Sequence, residues 1–145
     1  MSACIDTSFL VSLYTPDSHS TSAAEMLRLA EGPLHITRFA EFEFVNTLGL
    51  RVFRKEASLL EVQSLIRKFE QNLGAGAFQL TAVPNNVFDR ACQLSRDTTA
   101  HRGTRTADLL HIAAALELRA DEFYSFDRKQ RELAEALGLK LNPMT

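Results

Sequence analysis

The stretch RTADLLHIAAALELRADEFYSFD, residues 105–127, combines a predicted buried helix with a short apolar strand. Its first half is apolar on nearly every side, which predicts a helix that is largely buried. Its second half, Glu122–Ser125, has an apolar centre and is followed by Asp127, which is typical of a buried strand that ends at a polar tip. Two acids, Asp108 and Asp127, therefore stand at the edges of two hydrophobic elements.

A carboxylate placed against an apolar core is costly unless another group compensates its charge. The positive end of the helix dipole could compensate Asp108, because this residue falls in the first helical turn. A bound cation shared with other acids is the second explanation. The second explanation requires that the rest of the chain supplies those acids.

The composition indicates one ordinary soluble domain that spans residues 1–145. Hydrophobic residues make up 46% of the chain and charged residues 23%, which is typical of a globular protein. The formal net charge is −2, so the chain lacks the overall cationic field of many nucleic-acid binders. Contact with nucleic acid would need a local basic patch.

The sequence predicts a reduced cytoplasmic protein without a membrane segment. No apolar run approaches the roughly 20 residues that a membrane helix needs. The first residues show no basic region followed by an apolar core, so no secretory signal is expected. Cys4 and Cys92 belong to no CxxC or Cys/His cluster, which argues against zinc, and both are expected to be small buried residues.

Strands and helices alternate along the chain. The predicted strands are Ala3–Ile5, Leu34–Thr37, Phe78–Val83, Glu122–Ser125 and Leu139–Leu141. The predicted helices are one capped by Thr7 or Ser8, then Ser20–Ala30, Arg38–Lys55, Ser58–Leu73, one beginning near Asn85 or Asn86, the helix that contains Asp108, and Arg128–Leu137; Thr98–Thr104 is expected to be a polar loop. This order predicts an α/β fold, a three-layer α/β/α sandwich with a mostly parallel central sheet.

The long helix Arg38–Lys55 carries a third acid on a stripe that is expected to face inward. Glu43 and Asn46 share that stripe with apolar residues three and four positions away. A neighbouring apolar face is formed by Phe42, Val45 and Leu48. Glu43 and Asn46 are therefore predicted to be polar positions at the edge of the core.

Four acids share one positional signature. Asp6 and Asp127 follow short strands, and Glu43 and Asp108 lie on the inward faces of helices. Ligands of open α/β sheets bind outside the carboxyl ends of the strands, where all four could converge. Four carboxylates at one place repel and take up protons unless a cation neutralises them. Oxygen-only ligation favours Mg²⁺ or Mn²⁺.

A divalent cation at such a site would polarise a phosphodiester and lower the pKa of a bound water for attack on phosphorus. No rival catalytic motif competes with this interpretation. The chain contains no Gly-x-Ser-x-Gly sequence, no Walker loop and no GxGxxG sequence.

Four segments of the chain resemble the four motifs of PIN-domain nucleases. They are IDTS at 5–8, AEFEFVN at 40–46, RTADLLHIA at 105–113 and YSFDR at 124–128. The order, the spacing and the total length are most similar to those of the VapC-type toxins of type II toxin–antitoxin pairs. The resemblance covers essentially the whole chain.

This resemblance implies a compact α/β/α sandwich and a metal-dependent ribonuclease that uses Mg²⁺ or Mn²⁺. It also implies a homodimer, an RNA substrate and a cognate antitoxin that holds the enzyme inactive. Carried over by motif, Asp6, Glu43, Asp108 and Asp127 fill the four acidic positions, as catalytic residues and as metal ligands.

Three hydroxyl residues and one gap complete the resemblance. Thr7 or Ser8 would lie beside the metal-bound water, and Ser125 matches the usual Thr or Ser before the last acid. A fifth acid, which some wider PIN enzymes carry, has no counterpart here, because Gln130 and Arg131 occupy those positions.

Simpler roles are open for several of these residues. Asp6 and Asp127 could each be a helix N-cap, Asp108 a first-turn charge, and Glu43 a solvated edge residue. His111 could face the site, but a core-edge histidine without a catalytic role is the expected interpretation.

Basic residues are also ambiguous. Arg105 could pair with an acid or contact phosphate. Three residues at the end of a predicted helix, Arg51, Arg54 and Lys55, are most simply solvated, yet together with Arg102 and Arg128 they could form a positive surface for phosphate.

Two alternative functions remain open from the sequence. One is a non-catalytic module that keeps the PIN fold for binding RNA or an antitoxin. The other is a phosphohydrolase with Asp6 as the nucleophile. The second is disfavoured, because haloacid-dehalogenase enzymes place another acid two residues later and this chain has Ser8 there.

Overall fold

The computed structural model describes residues 1–144 and contains one five-stranded sheet. The strands are β1 (Ala3–Ile5), β2 (Leu34–Thr37), β3 (Gln79–Thr81), β4 (Glu122–Tyr124) and β5 (Lys140–Leu141). Their order in the sheet is β3-β2-β1-β4-β5, and every neighbouring pair is parallel. The prediction of a parallel sheet is confirmed, with strands a little shorter than expected in three of the five cases.

The helices connect these strands. They are α1 (Thr7–Tyr14), α2 (Ser20–Leu29), α3 (Arg38–Phe53), α4 (Leu59–Gly74), α5 (Val87–Leu94), α6 (Ala100–Arg102), α7 (Thr106–Glu117) and α8 (Arg128–Ala136). A π-helical turn, Ser95–Thr99, joins α5 to α6. No helix within residues 1–144 is long and apolar enough to span a membrane.

Alternation along β1 divides the core into two halves. Ala3 and Ile5 pack with a cluster that includes residues of the first four helices. Cys4 points to the opposite face, where it packs with residues of α5, α7 and α8. Since successive side chains of a strand point to opposite faces, the sheet is covered on both sides. The three-layer α/β/α sandwich is therefore confirmed.

Helix α7 is buried on most of its surface, as its composition predicts. Leu109 and the run from Ile112 to Ala115 are all buried. Its small alanine side chains pack in the core with residues of α5 and α8, and α5 lies along the helix. This helix is consequently a rigid element on which Asp108 is carried.

The orientation predicted for α3 is wrong only in part, because Glu43 lies at the edge of the core and Leu48 is buried, as expected. Phe42 is 68% exposed and Asn46 is also exposed, whereas Ala40, Phe44 and Leu48 form the buried face. These three are spaced by four residues and lie on one line of the helix. The apolar character of Phe42 and Val45 suggested an inward face, but both side chains lie on the exposed side of α3.

Two local predictions are also wrong. Residues 98–102, expected to lie in a loop, continue the helical backbone of α5, and Thr98 donates its hydroxyl to the carbonyl of Leu94 at 2.6 Å. The turn ends at Gly103, whose φ of 66° is left-handed and suits glycine. Cys92 is exposed rather than buried, while Cys4 is buried as expected.

Candidate metal centre

The topology brings the four predicted acids to one end of the sheet. Asp6 directly follows β1, and Glu43 lies in the second turn of the helix that follows β2. Asp127 comes three residues after β4. Helix α7 leads into β4 and runs against it, so Asp108 in its first turn lies at the same end. The sequence predicted that the acids lie together because the carboxyl ends of parallel strands meet at one edge of a sheet, and the sheet is parallel.

Asp6 is fully buried and is the N-cap of α1, where the sequence suggested Thr7 or Ser8. Its Oδ1 accepts the backbone N–H of Phe9 at 2.9 Å. The Ser8 hydroxyl lies 2.8 and 2.9 Å from its two oxygens, and the Ser125 hydroxyl donates to Oδ2 at 2.6 Å. A carboxylate has about four lone-pair sites, so these three donors leave capacity for one more ligand.

Burial is the largest influence on Asp6 and raises the pKa of its carboxyl group. The charge of His111 and the hydrogen bonds from Ser125, Phe9 and Ser8 act in the opposite direction. The net pKa remains above the usual aspartate range. A nearby cation would favour the charged form of this buried carboxylate.

Two serine hydroxyls join the first and fourth motifs. Besides contacting Asp6, Ser8 accepts the backbone N–H of Phe126 at 3.0 Å, and Ser125 accepts the backbone N–H of Asp127 at 3.0 Å. The strands before these motifs, β1 and β4, are direct neighbours in the sheet. The loop that carries Asp127 is thereby fixed against Asp6.

Glu43 makes contacts that the sequence did not predict. Its Oε1 accepts the hydroxyl of Thr7 at 2.8 Å and is hydrogen-bonded to Nε2 of His111. Burial would raise the pKa of Glu43, but the hydrogen bond and charge of His111 and the hydrogen bond of Thr7 together outweigh it, so the pKa is lowered. Glu43 is thus held as a carboxylate at the edge of the core, with its side chain 30% exposed.

His111 is a buried histidine at the edge of the core, as the sequence predicted, and it is hydrogen-bonded to one of the predicted acids. Its side chain is only 4% exposed, contacts Glu43, lies with Nε2 3.3 Å from the Thr7 hydroxyl, and packs against the ring of Phe39. It stands three residues after Asp108, so the helical period places both on one side of α7. That spacing was the available signal. The sequence does not show that α3 faces α7 at this point, so the contact between Glu43 and His111 could not be predicted.

Asp108 is the acid most affected by the other acids. Burial raises the pKa of its carboxyl group most, and the negative charge of Asp127 raises it further, with a smaller contribution from Glu43. The charge of His111 and the backbone N–H of Arg105 act against this rise. The side chain of Arg105 itself is exposed. Burial and the neighbouring carboxylates thus both favour the protonated form of Asp108.

Asp127 caps α8. Its Oδ1 accepts the backbone N–H of Gln130 at 2.9 Å, a standard N-cap interaction. The same carboxylate acts on Asp108 through its charge, so it also faces the other acids. The cap that the sequence offered is observed, and the charge of Asp127 is also close enough to raise the pKa of Asp108.

The acids are neighbours without forming a closed cage. Within residues 1–144, no group of three or more Asp, Glu, His or Cys side chains is arranged so that it could hold a metal ion as it stands. Glu43 is turned toward His111, and Asp127 is turned toward the backbone of α8. The donor set is nevertheless all oxygen apart from one imidazole, which is the chemistry that suits a hard divalent cation.

Comparisons with known proteins agree with this arrangement. A family model described as "PIN domain" matches residues 3–136. No curated protein matches the sequence. Several solved structures have the same fold at low sequence identity, which is evidence for the fold alone.

One of these structures is VapC20 of Mycobacterium tuberculosis, described as a toxin that cleaves the sarcin-ricin loop; it is 14% identical, with a TM-score of 0.71 over 97% of this chain and 99% of that chain. VapBC2 of Rickettsia felis, bound to a DNA fragment from its promoter, is 15% identical, with a TM-score of 0.69 over 100% of both chains. A toxin–antitoxin complex from Klebsiella pneumoniae is 15% identical, with a TM-score of 0.65 over 99% of both chains. With the family match spanning nearly the whole length, the chain belongs to the PIN domain family.

Proposed function

We propose that this protein is a metal-dependent ribonuclease of the VapC toxin type that hydrolyses RNA phosphodiester bonds. The observation that carries the proposal is the position of Asp6, Glu43, Asp108 and Asp127 at the carboxyl end of one parallel sheet. Carboxylates from α3, α7 and the start of α8 act on one another there, in a chain of the PIN domain family. This arrangement is energetically unfavourable without a cation and becomes favourable with one.

Mg²⁺ or Mn²⁺ is the proposed metal, with Asp6, Glu43, Asp108 and Asp127 as its ligands and as the catalytic residues. The bound ion would supply a water of lowered pKa and would neutralise charge on the phosphate. Binding requires movement of at least one acid, because the side chains do not form a closed cage. Glu43 and Asp127 are the candidates for movement, since neither is fully buried.

The protein residues have separable tasks in this proposal. Ser8 and Ser125 fix the Asp6 carboxylate from two sides. Thr7 and His111 keep Glu43 deprotonated and close to the other acids. Asp108 and Asp127 present negative charge from rigid helix termini. A carboxylate with a raised pKa, such as that of Asp108, is also suited to accept a proton during attack by water.

A cognate antitoxin and a second copy of the chain are the proposed protein partners. The Klebsiella pneumoniae structure, which shares the fold, is a toxin–antitoxin complex. The exposed apolar residues Phe42 and Val45 of α3 are available for such contacts. RNA is the proposed substrate, by the family resemblance of the four motifs.

Two other functions make different predictions. A non-catalytic PIN module would bind RNA or an antitoxin without metal-dependent cleavage. A phosphohydrolase would use Asp6 as a nucleophile, but the Ser8 hydroxyl lies against both oxygens of Asp6 and stabilises its negative charge. Hydrogen bonding of this kind weakens a nucleophile, which favours a metal-ligand role for Asp6.

RNA cleavage by purified protein tests the proposal. We expect cleavage of total RNA with Mn²⁺ or Mg²⁺, none with EDTA, and a loss of about a hundredfold or more for Asp6→Asn, which keeps an acceptor for the α1 cap. Asp89→Asn is the control, because Asp89 is an exposed acid in the first turn of α5. Equal cleavage by Asp6→Asn and the control, or no cleavage by the unmodified chain, would contradict the proposal.

A further inference from the structure

A recess with a different charge lies beside the acidic site. It has a volume of about 390 Å³ and is lined by His101, Arg102, Arg128, Lys129 and Glu132. We call it the basic recess. Three of these side chains are permanent cations and one is a carboxylate, so its formal charge is positive whereas that of the whole chain is −2.

The chain path places the basic recess next to the metal centre. On one flank, Arg102 ends α6, and only three residues separate it from α7, whose first turn carries Asp108. On the other flank, Arg128 begins α8 immediately after Asp127. The two flanks meet, because Nζ of Lys129 lies 3.6 Å from the position that a Cβ on Gly103 would take. Each flank thus continues directly into one proposed metal ligand.

The cations of the basic recess are available for a ligand. Arg128 lies 3.7 Å from Glu132, but both side chains are largely exposed, at 85% and 56%, so this pair is weak. In the part of the chain that the structure describes, Arg102 and Lys129 form no ion pair within 4.0 Å. Among these described residues, no acid neutralises the two charges at close range.

The other basic cluster of the sequence lies elsewhere. Arg51 is at the far end of α3, eight residues beyond Glu43, which is about 12 Å along the helix axis. It approaches Glu56 at 4.0 Å. Of the basic residues that the sequence offered for phosphate contact, Arg102, Arg105 and Arg128 therefore lie nearest the acids in the chain, and Arg102 and Arg128 line the basic recess.

We infer that the basic recess binds a backbone phosphate of the RNA strand, one that flanks the bond to be cut. This inference rests on the proposed function. Contacts of this kind position a strand and carry no sequence information. They would also explain how a chain of net negative charge, with four acids at its centre, retains an RNA substrate.

The test measures binding of a fluorescent oligouridylate by anisotropy in EDTA, so that cleavage does not accompany binding. The test variant is the double substitution Arg102→Gln and Lys129→Gln. The control is Arg67→Gln with Lys68→Gln, which removes the same charge from exposed positions of α4, a helix that does not line the recess.

For the unmodified chain and the control, we expect affinity that falls with salt concentration. For the recess variant, we expect an affinity lower by about tenfold and a slope of log affinity against log salt that is smaller by about 0.7, the change for one phosphate that is no longer neutralised. Thermal melting checks that both variants remain folded.

Equal affinities and slopes for the recess variant and the control would overturn the inference, as would undetectable binding by the unmodified chain. Equal RNA binding combined with weaker binding of polyglutamate by the recess variant would assign the recess to an acidic protein segment and would also overturn it. The binding assay contains no metal, so the cleavage assay separates the two proposals. Absence of metal-dependent cleavage by the unmodified chain contradicts the nuclease. RNA binding that is unchanged in the recess variant contradicts only the phosphate site in the recess.

Discussion

At the scale of single residues, the carboxylate of Asp108 shows a conflict between stability and function. It lies half-buried in the first turn of α7, near the negative charges of Asp127 and Glu43. These neighbours, together with burial, raise its pKa although the helix terminus and His111 favour its charged form. Burial of this carboxylate beside like charges lowers stability without a cation, which is the expected cost of the proposed metal site.

Neutralising Asp108 should stabilise the metal-free protein at neutral pH. We expect Asp108→Asn to raise Tm at pH 7 by up to about 4 °C, the shift that ~1 kcal/mol produces in a domain of similar size. Asp89→Asn, the first-turn acid of α5, should give no such gain, because its charge is favourable at an exposed helix terminus.

The sign of the pH dependence follows from the raised pKa of Asp108. Its contribution to stability is fully present below the unfolded value of about 3.9 and is lost as the pH rises through the folded value. The advantage of Asp108→Asn should therefore be largest near neutral pH and should be smaller at pH 4, close to the ordinary aspartate pKa, because a larger share of the native residue is then protonated. Melting curves in EDTA at both pH values measure it; an equal advantage at both would contradict the account.

At the scale of elements, Asp127 caps helix α8 and also lies near Asp108. Its carboxylate caps α8 and also acts on Asp108. Asn is as good an N-cap as Asp, whereas Ala loses the cap at a cost of about 1 kcal/mol. The two roles can therefore be separated by substitution.

For Asp127→Asn we expect nearly unchanged stability and a loss of RNA cleavage of about tenfold or more. For Asp127→Ala we expect the same catalytic loss together with a Tm lower by about 2–4 °C. Denaturation and Mn²⁺-dependent cleavage, measured side by side, check both. Full activity of Asp127→Asn would reduce Asp127 to a helix cap.

Local sequence patterns predicted the elements well where one pattern dominates. The helix predicted to begin at Ser58 is an example: Ser58 is the N-cap of α4, and its hydroxyl accepts the N–H of Glu61 at 3.1 Å. The segment after α5 is different, since polar residues such as Thr98 and Thr99 are typical of a loop. Their hydroxyls instead bond within the helical turn, to Leu94 and Ser95, which lets the helix continue.

At the scale of the whole molecule, the parallel topology could be predicted and the contacts between helices could not. Alternation of strands and helices was enough to place Asp6 and Asp127 at one end of a sheet. The partnership of Glu43 with His111 depends on how α3 and α7 face each other, which no local period encodes. The exposure of Phe42 depends on the same packing. Convergence of the acids was thus foreseeable, and their hydrogen-bonding partners were not.

We propose above all that the four acids hold a functional divalent cation, and calorimetric titration of Mn²⁺ into the full chain tests this most directly. We expect saturable binding by the unmodified protein and by Asp89→Asn. We expect loss of that binding in Asp108→Asn, because the remaining acids no longer carry the charge that attracts the ion. Absence of saturable binding by the unmodified chain, or equal binding by Asp108→Asn, would contradict the account.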